Sequence, residues 1–247
     1  MAAALSDLEH QQAALSQVQL DDFRAANLFA LVSQRTRPGS VLDVGCGAGG
    51  MVAWLLERGF DARGVDSSAA TIQAAQSFLA SRGLEPSRVS NTPLDVLAAQ
   101  DAGADNVISM DCLEHIEDDR SAFGDLVRLI KPQGRLILTV PAMMALYGER
   151  DRKIGHYRRY APRELRALAA EHPLRIEELR YWNLLGVAPT FASQRVLGRA
   201  VNESFRYGKP SLGKRVLRQA LGFWFKHVEN QIRPPLGLTL LMVASRK

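Results

Sequence analysis

The stretch that decides the reading is "VLDVGCGAGG", Val41 to Gly50. A short apolar run ends in an aspartate and breaks at once into a turn dense in glycine. Such a turn lets backbone amides approach a ligand closely. Two templates fit it. Gly45, Gly47 and Gly50 satisfy G-x-G-x-x-G, while Gly45, Gly47 and Gly49 satisfy G-x-G-x-G. Glycine turns after strands are common, so the loop alone does not choose. Asp43 separates the templates. Two residues ahead of the first glycine, its carboxylate would crowd a pyrophosphate but accept hydrogen bonds from a cationic amine.

Outward from that turn, short apolar stretches alternate with helical ones. "SVLDV", "DARGVD", "VSNTPLDV", "ADNVISM", "RLILTV", "LRIEELRYW" and "LGLTLLMVASRK" read as seven strands. "GGMVAWLLERG", closed by Gly59, reads as a helix. "SSAATIQAAQSFLASRG" is a second, capped by Ser67 or Ser68 with Gly83 past its end. "DDRSAFGDLVRLIKPQG" is a third, ended by Pro132 and Gly134, and "APRELRALAAEH" a fourth, with Pro162 near its first turn. This alternation implies right-handed crossovers and a mostly parallel sheet covered on both faces.

Leu5 to about Val32 reads as one or two amphipathic helices ahead of the core. Asn183 to about Pro235 interrupts the alternation with a helical insertion carrying Phe191, Phe205, Tyr207, Phe223, Trp224 and Phe225. Its Arg195, Arg199, Arg206, Lys209, Lys214, Arg215, Arg218, Lys226 and Arg233 face few acids, Glu203 and Glu229. A lid, a packing element, a dimer contact and a face lying on anionic lipid all fit such a segment. The expected organisation is one domain: a helical cap over 1–36, a core over 40–182, the insertion over 183–235 and a last strand over 236–247. Open α/β sheets bind ligands beyond the carboxyl ends of their strands. The positions to inspect therefore follow Val44, Val65, Leu94, Met110 and Val140.

Composition narrows the setting. No window holds the roughly 18 uninterrupted apolar residues that a membrane helix needs. The first residues carry acids and glutamines where a secretory leader has a basic end and an apolar run. Cys46 and Cys112 are too far apart for a paired motif, which suits a reducing cytoplasm. His10, His115, His156, His172 and His227 show no ligand spacing, so no metal site is expected. The net charge of +5 admits anionic small molecules, lipid headgroups or RNA and selects none.

The remaining strand ends supply partners for a nucleoside. Asp66 follows the glycines by about twenty residues, the spacing at which a carboxylate grips ribose hydroxyls in either kind of cofactor. Asp95, in "PLDV", is placed to accept from an adenine amino group, with the Val96 amide at a ring nitrogen. A dinucleotide has no standard need of that third acid. Together "VLDVGCGAGG", "VDSS", "PLDV" and "DNVISMDCLEHIED" resemble the class I S-adenosylmethionine-dependent methyltransferases, in particular their small-molecule and lipid-quinone, type-11-like branch. The likeness covers roughly Ser40 to Val140. It implies an α/β, Rossmann-like, doubly wound seven-strand sheet whose last strand inserts antiparallel. S-adenosylmethionine is the cofactor it implies. Asp43, Gly45 and Gly47, with Cys46 between them, fall at the methionine moiety. Asp66 and Ser67 fall at the ribose, Asp95 and Val96 at the adenine, and Met110 and Asp111 line the pocket.

Two segments offer acceptor chemistry. "DCLEHIED" places His115 where this branch often sets a histidine against the acceptor; capping or packing is its other reading. Glu114 reads as structural. "MDCLEH" lacks the proline-aromatic platform on which base-amino methyltransferases stack a flipped base, so nucleic acid is not an expected partner. "YGERDRKIGHYRRYAP", Tyr147 to Pro162, resembles a G-H-x-R-R-Y signature from a subset of these enzymes, some of it tied to lipid-linked or cell-envelope substrates. His156 and Tyr160 are candidate catalytic groups there. Arg158 and Arg159, with Tyr147, would hold an acceptor carboxylate or phosphate. The alternative is an arginine-rich hinge paired with Glu149, Asp151 or Glu164. The expected partner is a small, anionic or heteroaromatic metabolite, for a monomer or homodimer that touches membranes at most peripherally. An NAD-dependent oxidoreductase, a non-enzymatic scaffold and an RNA methyltransferase remain as rivals.

Overall fold

The computed structural model of the chain describes residues 23–100, 103–193 and 212–247. In chain order, helix α1 (Phe23–Ser33) precedes β1 (Ser40–Val44), α2 (Gly50–Leu56), β2 (Asp61–Asp66), α3 (Ala69–Ser81) and β3 (Val89–Asn91). Next come α4 (Leu94–Ala98), β4 (Ala104–Met110), α5 (Asp119–Arg128), β5 (Ile130–Pro141) and α6 (Glu149–Lys153). The last elements are α7 (Pro162–Ala170), β6 (Leu174–Trp182), α8 (Val187–Phe191), α9 (Leu212–Trp224) and β7 (Thr239–Arg246). All seven strands join one sheet in the order β3-β2-β1-β4-β5-β7-β6. β1 to β5 pair in parallel, and β7 enters antiparallel between β5 and β6. The chain winds outward in both directions from the β1–β4 seam, so a crevice opens at the carboxyl ends of those two strands. This is the Rossmann-like sheet with an antiparallel last strand that the sequence led us to expect.

Alternation along the central strands builds a core on each face. Leu42, Val44, Val107, Leu136, Leu138, Val140, Leu240 and Met242 point one way, onto Phe123 and Leu126 of α5 and Leu165 and Leu168 of α7. Val41, Ile108, Ile137, Leu241 and Val243 point the other way, onto Leu28 and Leu31 of α1 and Met51 and Leu55 of α2. Local signals set several boundaries. Ser68 caps α3 by accepting from the Thr71 amide at 3.2 Å, and Asp118 caps α5 by accepting from the Ser121 amide at 3.0 Å. Pro162 opens α7, where its missing N–H costs nothing.

Two expected boundaries move. The third strand ends at Asn91, and "LDVLA" coils into α4 instead of extending it. Pro93 cannot donate to a ladder, and the helical turn lets Leu97 reach the core. The helix expected to run to Pro132 stops at Arg128. The chain turns straight into β5, pairing Ile130 with Ala104 before a register shift. Gln133, at φ 63°, takes up the irregularity.

Of the expected N-terminal helices the described part is α1; Leu5 and His10 lie outside the described residues. The same holds for Arg195, Arg199, Glu203, Phe205, Arg206, Tyr207 and Lys209 of the insertion. Its described end is a packing element. Phe225 stacks on Trp182 at 4.7 Å between centroids, Trp182 Nε1 donates to Asn230 Oδ1 at 2.9 Å, and Asn230 Nδ2 reaches the Asn27 carbonyl at 3.1 Å. The insertion thus clasps β6 to α1. Among the described residues no helix is long and apolar enough to cross a membrane.

The close approach of β2 to the glycine turn sets a test of this packing. A Cβ on Gly64 would stand 2.7 Å from both Cys46 Cβ and Val52 Cγ2. Gly64→Ala should lower stability by about 1–3 kcal/mol, as overpacking of a tight core does. An unchanged denaturation midpoint would contradict that approach.

Candidate functional site

The turn after β1 is the floor of the crevice. Gly45 and Cys46 donate their amides to the Val65 carbonyl at 2.9 and 3.0 Å, which ties the turn to the end of β2. Gly45, Gly47 and Gly49 have φ of 73°, 54° and 79°. Gly50 does not share this conformation and starts α2. The left-handed positions therefore follow G-x-G-x-G. At Gly45 the constraint is double, because a Cβ there would also lie 2.7 Å from Cys112 Cβ.

Two carboxylates frame this floor. Asp66 accepts from the Gly47 amide at 3.1 Å through one oxygen and from the Ser68 amide at 2.9 Å through the other. It remains half-buried, with acceptor capacity left for a ligand hydroxyl. Asp43 is 2% exposed, and its Oδ1 has no hydrogen-bond partner. Burial, and then the neighbouring Asp66 charge, push its carboxyl up to about 7. Ser67 and Asp111 are exposed, and Met110 and Cys112 are half-buried at the crevice rim. Asp111 holds φ at 49° and donates its amide to the Thr139 carbonyl at 2.9 Å. A non-glycine residue in that region is a strained feature of the kind found at functional edges. Asp95 and Val96 sit in the first turn of α4, both exposed, not at a strand end.

The segment after β5 folds back on the same edge. Tyr160 donates its amide to the Pro141 carbonyl at 2.8 Å, and the Met143 amide returns to the Tyr160 carbonyl at 3.0 Å. Inside this loop Arg159, 6% exposed, grips Asp151 with Nε at 2.8 Å and Nη2 at 3.1 Å. Burial alone would raise Asp151, but hydrogen bonds from His156 and Arg159 outweigh it and hold the carboxyl at about 2. Of the three acids named as hinge partners, Asp151 takes the arginine. Glu149 pairs with Lys153 at 2.7 Å, and Glu164 accepts the Ala161 amide at 2.6 Å. Arg158 turns to Asp119 at 2.7 Å and to the Glu117 carbonyl at 2.6 Å. The Tyr160 hydroxyl donates to the same Asp119 at 2.8 Å, and burial with that contact drives its pKa up. Tyr147 donates to the His156 carbonyl at 2.7 Å.

His115 and His156 meet at the crevice edge, centroids 4.5 Å apart and rings at 84°. Burial, and then the His156 ring, bring His115 down to about 4, so it is neutral at physiological pH. Glu114 is fully buried, and neither carboxylate oxygen has a hydrogen-bond partner. Burial, and then Asp111, raise its pKa well above the usual range. Sequence reading took Glu114 for structural and Asp151 for a hinge partner. Their meeting around His156 depends on a loop closure that no local spacing shows.

A family model for a methyltransferase domain matches residues 14–179. The chain belongs to this methyltransferase domain family. A norajmaline N-methyltransferase from Rauvolfia serpentina is 28% identical over 130 residues, which are 51% of this chain and 44% of that protein. A ubiquinone biosynthesis O-methyltransferase from Cronobacter sakazakii is 35% identical over 100 residues, 40% of this chain and 41% of that one. The matched stretches thus span less than half the length of these curated relatives. Among solved structures, the complex between the Haloferax volcanii Trm112 methyltransferase activator and a methyltransferase holds a chain similar at a TM-score of 0.64. It is 18% identical, over 97% of this chain and 96% of that one, and shows the shared fold.

The residues of this methyltransferase domain fit the cofactor that the family implies. An uncompensated buried carboxylate oxygen at Asp43 suits an ammonium, the left-handed turn exposes backbone beside it, and Asp66 keeps acceptor capacity for ribose hydroxyls. Two consequences can be measured. Asp43 titrates near 3.8 when unfolded and about 7 when folded, so folding takes up a proton between those values. The stability linked to this group is present below the lower value and lost as pH rises through the upper. Without ligand, Asp43→Asn should melt higher than wild type at pH 8, with the gap closing toward pH 4. A second consequence concerns Arg159→Ala, which strands the buried Asp151 carboxylate. It should cost about 3–5 kcal/mol in chemical denaturation; a loss under about 1 kcal/mol would remove Arg159 from the structural role.

Proposed function

We propose that the protein transfers a methyl group from S-adenosylmethionine to a small, anionic or heteroaromatic acceptor. The buried, uncompensated Asp43 oxygen beside a G-x-G-x-G turn carries this reading. When bound, the cofactor supplies an activated methyl carbon. Asp43 faces its ammonium, Asp66 its ribose hydroxyls, and the loop at Gly45 and Gly47 its backbone-contacting edge. Asp95 and the Val96 amide take the adenine from α4, where their exposure leaves them available to a ligand. Methyl transfer is an in-line displacement, so most of the protein's work is to hold the acceptor close and straight.

His115 is the group placed to take a proton from a phenol, hydroxyl or ammonium acceptor, since it stands half-buried just beyond the end of β4. His156 stands behind it, oriented by Asp151 at 3.2 Å. Arg159 and Tyr160 act as positioning residues, because their polar atoms are committed to Asp151 and Asp119. Arg158 is the guanidinium with exposed surface left to meet an acceptor anion.

Methyl-labelled cofactor offered with phenolic, carboxylic and heteroaromatic acceptors, and separately with RNA, tests the reading. Label is expected in a small acceptor. Asp66→Ala should weaken cofactor binding about tenfold or more, the worth of charge-assisted hydrogen bonds. Label in RNA alone would overturn the acceptor class, and unchanged cofactor affinity in Asp66→Ala would remove the ribose role.

A further inference from the structure

Glu114, His115 and His156 each bring one ligand atom to within 4.8 Å of the others. Glu114 Oε1 lies 3.6 Å from His156 Nε2, with the His115 ring edge-on to the His156 ring. The surroundings prepare these atoms. Asp151 Oδ1 sits 3.2 Å from His156 Nδ1 and thereby turns Nε2 toward the cluster. Arg159 in turn holds Asp151 in place. The Gly155 backbone lies beside His115 Nδ1, which stands 3.7 Å from where a Cβ on Gly155 would be. The pattern of a carboxylate or a backbone group behind each imidazole is the one that orients metal-ligating histidines.

Glu114 adds an independent sign. A fully buried carboxylate with no hydrogen bond to either oxygen is costly unless a cation meets it. Asp111 beside it deepens the negative field.

We propose that Glu114, His115 and His156 hold one divalent transition-metal ion of the zinc or ferrous class. Two imidazoles with one carboxylate favour such an ion over magnesium or calcium, which take oxygen ligands. Bond lengths near 2.0–2.2 Å require the three atoms to close together, which rotation of the half-buried His115 ring permits. Three protein ligands leave open positions at the crevice edge, where an acceptor oxygen or a water would complete the shell. The site goes beyond methyl transfer and stands on its own geometry.

The experiment uses the full-length, untagged chain, stripped by chelator and titrated with Zn²⁺ in the absence of cofactor and acceptor. One ion per chain should bind at micromolar affinity or tighter and raise the melting temperature. His115→Ala and His156→Ala should each weaken binding about tenfold or more, the usual worth of a ligand or its support. Glu114→Gln should do the same while keeping its shape. Co²⁺-loaded wild type should show the strong visible bands of a four- or five-coordinate nitrogen–oxygen site, a readout that needs no substitution. Failure to bind one Zn²⁺ per chain, a weak six-coordinate cobalt spectrum, or binding unchanged in both histidine variants would overturn the proposal. The cluster would then be no more than a histidine packed between Asp151 and Glu114. Because no cofactor is present, failure here leaves the methyl-transfer reading standing, and success reassigns His115 from proton acceptor to metal ligand without touching the cofactor half of the crevice.

Discussion

Buried carboxyl oxygens without a hydrogen-bond partner govern this crevice. Asp43 lies at the carboxyl end of β1, inside the β1–β4 seam, and one of its oxygens has no partner. Glu114 repeats the arrangement just beyond β4. Uncompensated burial of a carboxylate works against folding, and most interiors avoid it. Two such groups on adjacent strand ends mark a place where the fold gives up stability.

The rest of the structure supports that edge. Parallel pairing of β1, β2 and β4 brings Asp43, Asp66 and Asp111 to one side of the sheet. The glycine turn must pass beneath them without a side chain, which the Val65 carbonyl enforces by taking two of its amides. Antiparallel β7 then lets β6 close the sheet, and the insertion returns to pin β6 against α1 through Trp182, Phe225 and Asn230. On the acceptor side, the loop from Pro141 to Tyr160 is cinched by its own backbone and by the buried Arg159–Asp151 pair. Its arginines spend their donors on this closure more than on the crevice.

Much of this was legible in the sequence because it depends on short-range rules. Alternating apolar periods gave the strands, and Ser68 and Pro162 marked helix starts. The G-x-G-x-G spacing named the turn. What escaped depends on long-range closure. Asp95 reads as a strand end until Pro93 and the burial of Leu97 turn the segment into α4. The five histidines show no ligand spacing along the chain, yet His115 and His156 touch once β4 and the loop after β5 are side by side. Glu114 looked structural because its environment, not its neighbours in sequence, strips it of partners.

Calorimetric titration with S-adenosylhomocysteine, with NAD⁺ run beside it, tests the central claim most directly. Micromolar binding of the first and none of the second is expected if Asp43 and the left-handed turn cradle a methionine moiety. Binding of NAD⁺ alone would return the turn to a pyrophosphate and contradict that assignment of Asp43.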